Sequence, residues 1–275
     1  MRTSNLLKHS LPLIGVAVLA AITACSPRSA DQSASSANTS AAANGAFDPR
    51  DFSGTWDRLQ QAAAPRDVGT LVPAADARDA IPPPPLKPEY KAAWEEQQRK
   101  IRAADLSGAP IATHYTACIP DGMPAMMQGM FPMEVLITPR QVTVIQEAYN
   151  QVRRIYFNDT LPAVEDAEPG FWGHSTGHWD GNDFVVETIG IKDRVRFRNV
   201  QHSPEMRIFE RMRMTDADHF ENDVTIEDPQ YLAEPWKWTW KYQRRPDYKM
   251  YEYVCEDNRE YADPVTGEAR LRVGE

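Results

Sequence analysis

From Glu134 onward, apolar and polar residues alternate in short runs, the period-two signature of half-buried strands. Val135–Ile137, Val142–Ala148, Val152–Phe157, Arg207–Thr215, Phe220–Asp228, Pro235–Tyr242 and Tyr248–Cys255 each read as a strand rich in β-branched and aromatic residues. Turn residues such as Thr138-Pro139-Arg140, Tyr149-Asn150-Gln151, Asp216-Ala217-Asp218 and Arg245-Pro246-Asp247 separate most of them. Amid these runs, Trp172 to Ile189 (WGHSTGHWDGNDFVVETI) reads as a β-hairpin turning at Asp180-Gly181-Asn182-Asp183. If Gly181-Asn182 form a two-residue loop, Asp180 faces Asp183, His178 faces Val185 and Thr176 faces Glu187. If Asp180-Gly181 form it, His174 faces Glu187. Both registers put His174, His178 and Glu187 on one face. Many short strands at regular spacing predict a mainly-β fold, either an antiparallel barrel or a strongly curved sheet.

Helical periodicity enters once. Over Leu86–Ala104, Tyr90, Ala93, Trp94 and Ile101 recur on one stripe, which predicts an N-terminal helix packed against the outside or mouth of the sheet structure. Residues from Gln61 to Pro85 are loop-like and end in four prolines, an extended spacer. Phe52-Ser-Gly-Thr-Trp56 reads as a first strand with one buried Trp, and it also resembles the first-strand motif of lipocalins. That resemblance implies a lipocalin-like barrel whose Trp closes the bottom.

The N-terminal stretch has another character. Arg2 and Lys8 precede an apolar run from Leu11 to Ile22 that is too short to span a bilayer as a stop-transfer helix. Residues 1–24 are therefore expected to be a signal peptide. Ile22-Thr23-Ala24-Cys25 resembles the lipobox of bacterial lipoproteins, which implies lipidation of Cys25. Ser26 at the next position implies sorting to the outer membrane, and hence a periplasmic, lipid-anchored protein. Residues 25–46 are Ser/Ala/Asn-rich and read as a flexible tether, and residues 47–275 as a single β-rich domain. A net charge of −9 argues against nucleic acid as a partner. No basic amphipathic stripe is present, so membrane contact is expected through the lipid alone.

With Cys25 assigned to lipid, Cys118 and Cys255 remain. In an oxidising compartment they most simply form one disulfide; free or reactive thiols are the alternative. The stretch Cys118–Met133 holds five methionines, Met126 and Met130 among them. They suit a pliable lining for apolar ligands, a Cu(I) site, or plain core packing, with copper disfavoured by irregular spacing and the lack of a His in the run.

The strand faces locate candidate chemistry. Glu210 shares the apolar face of its strand with Met206, Ile208, Met212 and Met214, where a lone carboxylate is costly unless paired. Trp236, Trp238, Trp240 and Tyr242 share one face, and Glu252 lies between Met250 and Val254. Such an interior fits either a pocket for a small, partly apolar molecule or a filled core with its carboxylates bonded to Arg or Trp N–H groups. His174, His178 and Glu187, with His202, Glu210 and Arg211 as neighbours, form the one candidate catalytic or binding constellation. Two His and a carboxylate suit a zinc or iron site, or metal-free acid–base work. Histidines four apart on a strand lie ~13 Å apart, using roughly 3.3 Å per residue, too far for one ion unless glycines 173 and 177 bulge the strand. The plain alternative has the His residues satisfied by backbone carbonyls and Glu187 exposed. Gly173-His-Ser-Thr-Gly177 continues as a strand, unlike a nucleophile elbow, and no phosphate-loop or zinc-protease motif occurs.

The hairpin, Thr225-Ile-Glu-Asp-Pro229 and Tyr251-Glu-Tyr-Val-Cys255 together resemble a family of secreted bacterial proteins of unassigned activity, over Phe52 to Cys255. The resemblance implies one module and carries over no activity and no cofactor. The residues then predict a binding protein for a small apolar or aromatic molecule. The alternative is a lyase, isomerase or hydrolase using a pocket His beside Glu187 or Glu210, with or without a metal.

Overall fold

A computed structural model describes residues 47–59, 81–129, 131–255, 260–263 and 265–271. The expected signal peptide, tether and lipidated Cys25, and the pocket candidate Met130, lie outside the described residues.

Nine strands form a closed barrel: β1 (Gly54–Arg58), β2 (Met133–Ile137), β3 (Gln141–Gln146), β4 (Gln151–Phe157), β5 (His174–Asp180), β6 (Asp183–Ile189), β7 (Arg207–Asp216), β8 (His219–Glu227) and β9 (Trp236–Arg244). Trp56 of β1 stands opposite Met133 of β2 on one side and Arg244 of β9 on the other, which seals the ring and leaves no open edge. Every neighbouring pair is antiparallel except β4 and β5, where Ile155 lies beside Ser175 in parallel register. Parity requires this. Strands alternating in direction return to their starting sense only when even in number, so a nine-strand ring needs a parallel seam. Residues 158–173 supply the crossover, which parallel neighbours need at a length of about a dozen residues or more.

The wall is uneven. β1 and β2 have five residues each, whereas β7 has ten. The gap beside the short strands is filled by the methionine segment, which contains the short helix that follows α1 (Pro88–Ser107), namely α2 (Ala125–Gln128). Met123, Met126 and Met127 are fully buried and join the core cluster. Tyr242 Oη donates to the Met127 carbonyl at 2.7 Å, and Arg58 Nε donates to the Gln128 carbonyl. Gly129 permits the approach, since a Cβ there would meet Gln146 Nε2 at 1.8 Å.

One end of the barrel is closed by aromatics. Trp56 is fully buried, with the Phe220 ring 4.7 Å away edge-on and the Arg244 guanidinium 4.2 Å over its face. Tyr242 stacks on Phe220 at 4.2 Å. Such pairs contribute about 0.5–1.5 kcal/mol each beyond burial. The outer wall of β7–β9 is charged: Arg211 reaches Asp183 and Asp180 at 2.7 and 2.8 Å, Lys241 reaches Glu221 at 2.8 Å, and Arg213 pairs with Asp223. This is a face suited to water, not to lipid. No helix among the described residues is long and apolar enough to cross a membrane.

Helix α1 begins with Pro88 at its first turn and ends at Gly108 in the left-handed region, the asymmetry that starts and stops helices. It lies over the mouth, opposite the aromatic end, where Tyr90 meets Tyr231 at 4.4 Å and Trp94 Nε1 donates to the Arg198 carbonyl at 3.0 Å. The proline run leading to it is pinned to the start of β9, since Pro82 O accepts from Trp236 Nε1 at 2.9 Å. The Cys118–Cys255 disulfide is formed, across a sequence separation of 137. Tyr248–Cys255, expected as a strand, is irregular instead. Once β9 pairs with β1 the ring offers no free edge, and this segment is held by Glu147, whose Oε2 accepts from Tyr248 Oη at 2.7 Å and Tyr251 N at 2.9 Å. Glu252 is accordingly exposed and not on an apolar face. Beyond it, β10 (Glu260–Ala262) and β11 (Ala269–Leu271) form a separate two-stranded sheet.

Candidate functional site

The hairpin adopts the Gly181-Asn182 loop, with Asp180 opposite Asp183, His178 opposite Val185 and Thr176 opposite Glu187. His174, His178 and Glu187 therefore do share a face, but it is the outer one. Ser175, Gly177, Phe184, Val186 and Thr188 take the interior positions. His174 Nε2 meets the Glu168 carbonyl at 2.9 Å, Glu187 pairs with Arg207, and His178 is exposed. Arg211 is also outside, and its guanidinium beside Asp180 holds that carboxyl below its usual range, first by hydrogen bonding and then by charge. His174, His178, Glu187 and Arg211, expected at a pocket, are thus dispersed over the outer wall. The period-two pattern gives shared faces but not which face turns inward. Among the described residues, no three His, Cys, Asp or Glu side chains come together to hold a metal. A lateral cleft of ≈ 300 Å³ over the parallel seam includes His174 and Trp172. Its groups are partly committed already: Trp172 Nε1 donates to Gln151 Oε1 at 3.4 Å, and Thr176 Oγ1 donates to the Asp159 carbonyl at 2.8 Å.

The mouth is different. Residues 191–206, between β6 and β7, fold over it and place Phe197 on the indole ladder of β9, with ring centroids 5.4 Å from Trp236, 5.3 Å from Trp238 and 6.1 Å from Trp240. Around Phe197 lies an apolar cleft lined by Met123, Val195, Val200, Met206 and Trp236, with His202 and Asp228 at its polar rim. Its free volume is ≈ 20 Å³, room for about one water molecule. His202 is the one histidine of the expected set that reaches this cleft, and its ring nitrogens meet the Lys192 and Ser203 carbonyls at 3.0 and 3.1 Å. Asp228 fixes the loop base by accepting from Ser203 N at 2.7 Å and Ser203 Oγ at 3.0 Å. In the loop, Arg198 and Asn199 have φ of 54° and 60°. Consecutive left-handed residues other than glycine store backbone strain, about 1–2 kcal/mol for Arg198.

Below the cleft the interior turns polar. Arg153 and Glu210 form a fully buried ion pair. Arg153 Nη2 also donates to Thr188 Oγ1 at 2.9 Å, Ser175 and Thr188 hydroxyls meet at 2.8 Å, and Asn222 Nδ2 donates to Glu210 Oε1 at 2.9 Å. A buried pair survives only with such support, because two desolvated charges need every available hydrogen bond. Four interior polar atoms have no partner among the described residues: Arg153 Nη1, Asn222 Oδ1, Trp238 Nε1 and Trp240 Nε1. Burial, with Glu210 next in effect, pushes the Tyr242 phenol far above its ordinary ionisation. The carboxylate expected on an apolar face is thus present and paired. Its bond to Arg153 is the arrangement anticipated for carboxylates in a filled interior, while an apolar cleft remains at the mouth. Trp236 lines the mouth cleft, while Trp238, Trp240 and Met126 are packed inside. Sequence reasoning missed Arg153, Ser175, Thr188, Asn222 and Phe197. The signal for Arg153 was Glu210 itself, which demanded a cationic partner across the barrel, but β4 alternates too weakly to show which of Arg153 and Arg154 faces inward.

These features define a closed β-barrel with a plugged side wall, a capped mouth and a polar core. Compared with protein-family models, curated proteins and solved structures, the chain matches none.

Proposed function

We propose that this protein binds one small apolar or aromatic molecule at the barrel mouth, and that a lipid on Cys25 anchors it in the periplasm at the outer membrane. The observation that carries the binding reading is Phe197, an aromatic ring borne by a strained loop and laid on the Trp236–Trp238–Trp240 ladder. A guest ring takes the place of Phe197 on that ladder when the loop swings aside, and the loop's left-handed residues lower the cost of leaving the closed form. The cleft around it is Met- and Val-lined, a surface that adapts to guests of different shape. The alternative of a His–Glu acid–base enzyme draws no support from a hairpin face that points outward.

The test is a titration with the neutral dye N-phenylnaphthylamine. Saturable one-to-one fluorescence enhancement is expected, and Val200→Phe, which fills the cleft, abolishes it. Enhancement that fails to saturate, or that survives in Val200→Phe, refutes the reading. The lipid anchor is tested separately by mass spectrometry of the N-terminal peptide and its loss in Cys25→Ala.

A further inference from the structure

The guest's chemistry is written in the atoms beneath Phe197. Trp238 Nε1, Trp240 Nε1 and Arg153 Nη1 are donors without a partner among the described residues, and Asn222 Oδ1 is an acceptor in the same condition. Their residues are all buried, at 6%, 1%, 1% and 0% exposure respectively for Trp238, Trp240, Arg153 and Asn222. The strand registers gather them: Asn222 stands opposite Trp240, Val224 opposite both Trp238 and Glu210, and Glu210 is bonded to Arg153. These are two adjoining rungs of the interior, and one of the four, Trp238, is the indole on which Phe197 stacks, with ring centroids 5.3 Å apart.

We propose that this cluster is the head-group site of the mouth, and that the guest carries an uncharged carbonyl on its aromatic or apolar body. The inference rests on the binding reading above. Three donors against one acceptor call for an acceptor-rich group with one hydrogen to give, the pattern of a primary or secondary amide. Charge sets the rest. Glu210 already neutralises Arg153, so a carboxylate head would leave one buried negative charge without its own counter-ion, and an ammonium head would meet Arg153. A purely apolar guest fills the ladder and leaves all four atoms unpaired, so discrimination against it is the expected mark of the site.

The full chain with nitrogen-labelled indoles is titrated with benzamide, its isostere isopropylbenzene, and benzoate. The Trp238 and Trp240 N–H signals are assigned through Trp238→Phe and Trp240→Phe. Benzamide is expected to bind at least tenfold more tightly than either competitor and to move both indole N–H signals. Benzamide and isopropylbenzene binding equally, or benzoate binding more tightly, overturns the head-group assignment while leaving the mouth a binding site. If none of the three binds and the dye also fails, the binding reading falls, and this inference with it; if the dye binds and they do not, only the inference falls. In Arg153→Met/Glu210→Leu, which leaves no lone charge behind, isopropylbenzene affinity is expected to persist and the preference for benzamide to collapse. Undiminished preference in that variant overturns the assignment, and the wild-type comparison decides the matter if the variant does not fold.

Discussion

Glu210→Gln is the substitution that probes the barrel interior most sharply. The side chain keeps its size and its ability to accept from Asn222, but the fully buried Arg153 guanidinium loses its counter-charge. Removing one partner of a buried pair typically costs about 3–5 kcal/mol, because the survivor is an uncompensated charge in a medium that cannot solvate it. That is a large part of the roughly 5–15 kcal/mol that holds a domain together. At about 2–4 °C per kcal/mol for a domain of this size, it corresponds to a fall in Tm of roughly 6–20 °C. Arg153→Met is expected to cost a similar amount by stranding the Glu210 carboxylate. The double variant Arg153→Met/Glu210→Leu replaces both with apolar groups and is expected to be more stable than either single variant, since a buried pair and its hydrophobic replacement are often near equal. Urea unfolding followed by Trp fluorescence gives the three differences. Single losses below about 1 kcal/mol, or a double loss equal to their sum within roughly 0.5 kcal/mol, would refute the reasoning.

Other expectations follow from particular contacts. Cys118→Ser opens a loop spanning a sequence separation of 137 and is expected to cost about 2–5 kcal/mol, seen as a lower urea midpoint; an unchanged midpoint would contradict it. In the hairpin the glycine matters more than the histidines. Gly173 sits at φ +62° with room for no Cβ, which would stand 2.2 Å from the Ile189 carbonyl oxygen. Gly173→Ala should therefore lose more than about 2 kcal/mol, and His174→Ala and His178→Ala each stay within about 0.5 kcal/mol; the reverse order of effects would overturn the outward assignment. Tyr248 has its phenol pushed up to about 12, first by burial and then by its bond to Glu147. Because that value lies above the ordinary 10.0, the contact supports the fold fully below pH 10.0 and is lost as pH rises toward about 12. An ultraviolet tyrosinate titration should contain a late step that Tyr248→Phe removes, and its persistence in that variant would contradict the assignment.

Much of the fold was legible because period-two alternation is a local signal. The strands of the hairpin, and its turn narrowed to two registers, follow from residues that touch along the chain, and the apolar face of β7 gave away Glu210 as a carboxylate in need of a partner. What stayed hidden depends on contacts distant in sequence. The parallel seam between β4 and β5 arises from ring parity, which no single strand encodes. Tyr248–Cys255 alternates like a strand, yet the ring had no edge to offer it. The inward face of β5 consists of Ser175, Gly177 and Trp179, small or polar for the most part, so hydrophobicity pointed to neither side and the histidines were free to be read as interior. Phe197 lies in a loop, where neither periodicity applies.

The most direct test of the central claim is a fluorescence titration of the full chain with N-phenylnaphthylamine, run beside Val200→Phe. A single saturable site in the wild type that vanishes when the cleft is filled is the result expected of a binding mouth under Phe197. A wild type that fails to take up the dye, or a Val200→Phe protein that binds it as well, would mean that the ring on the indole ladder is core packing and that the mouth is not a site.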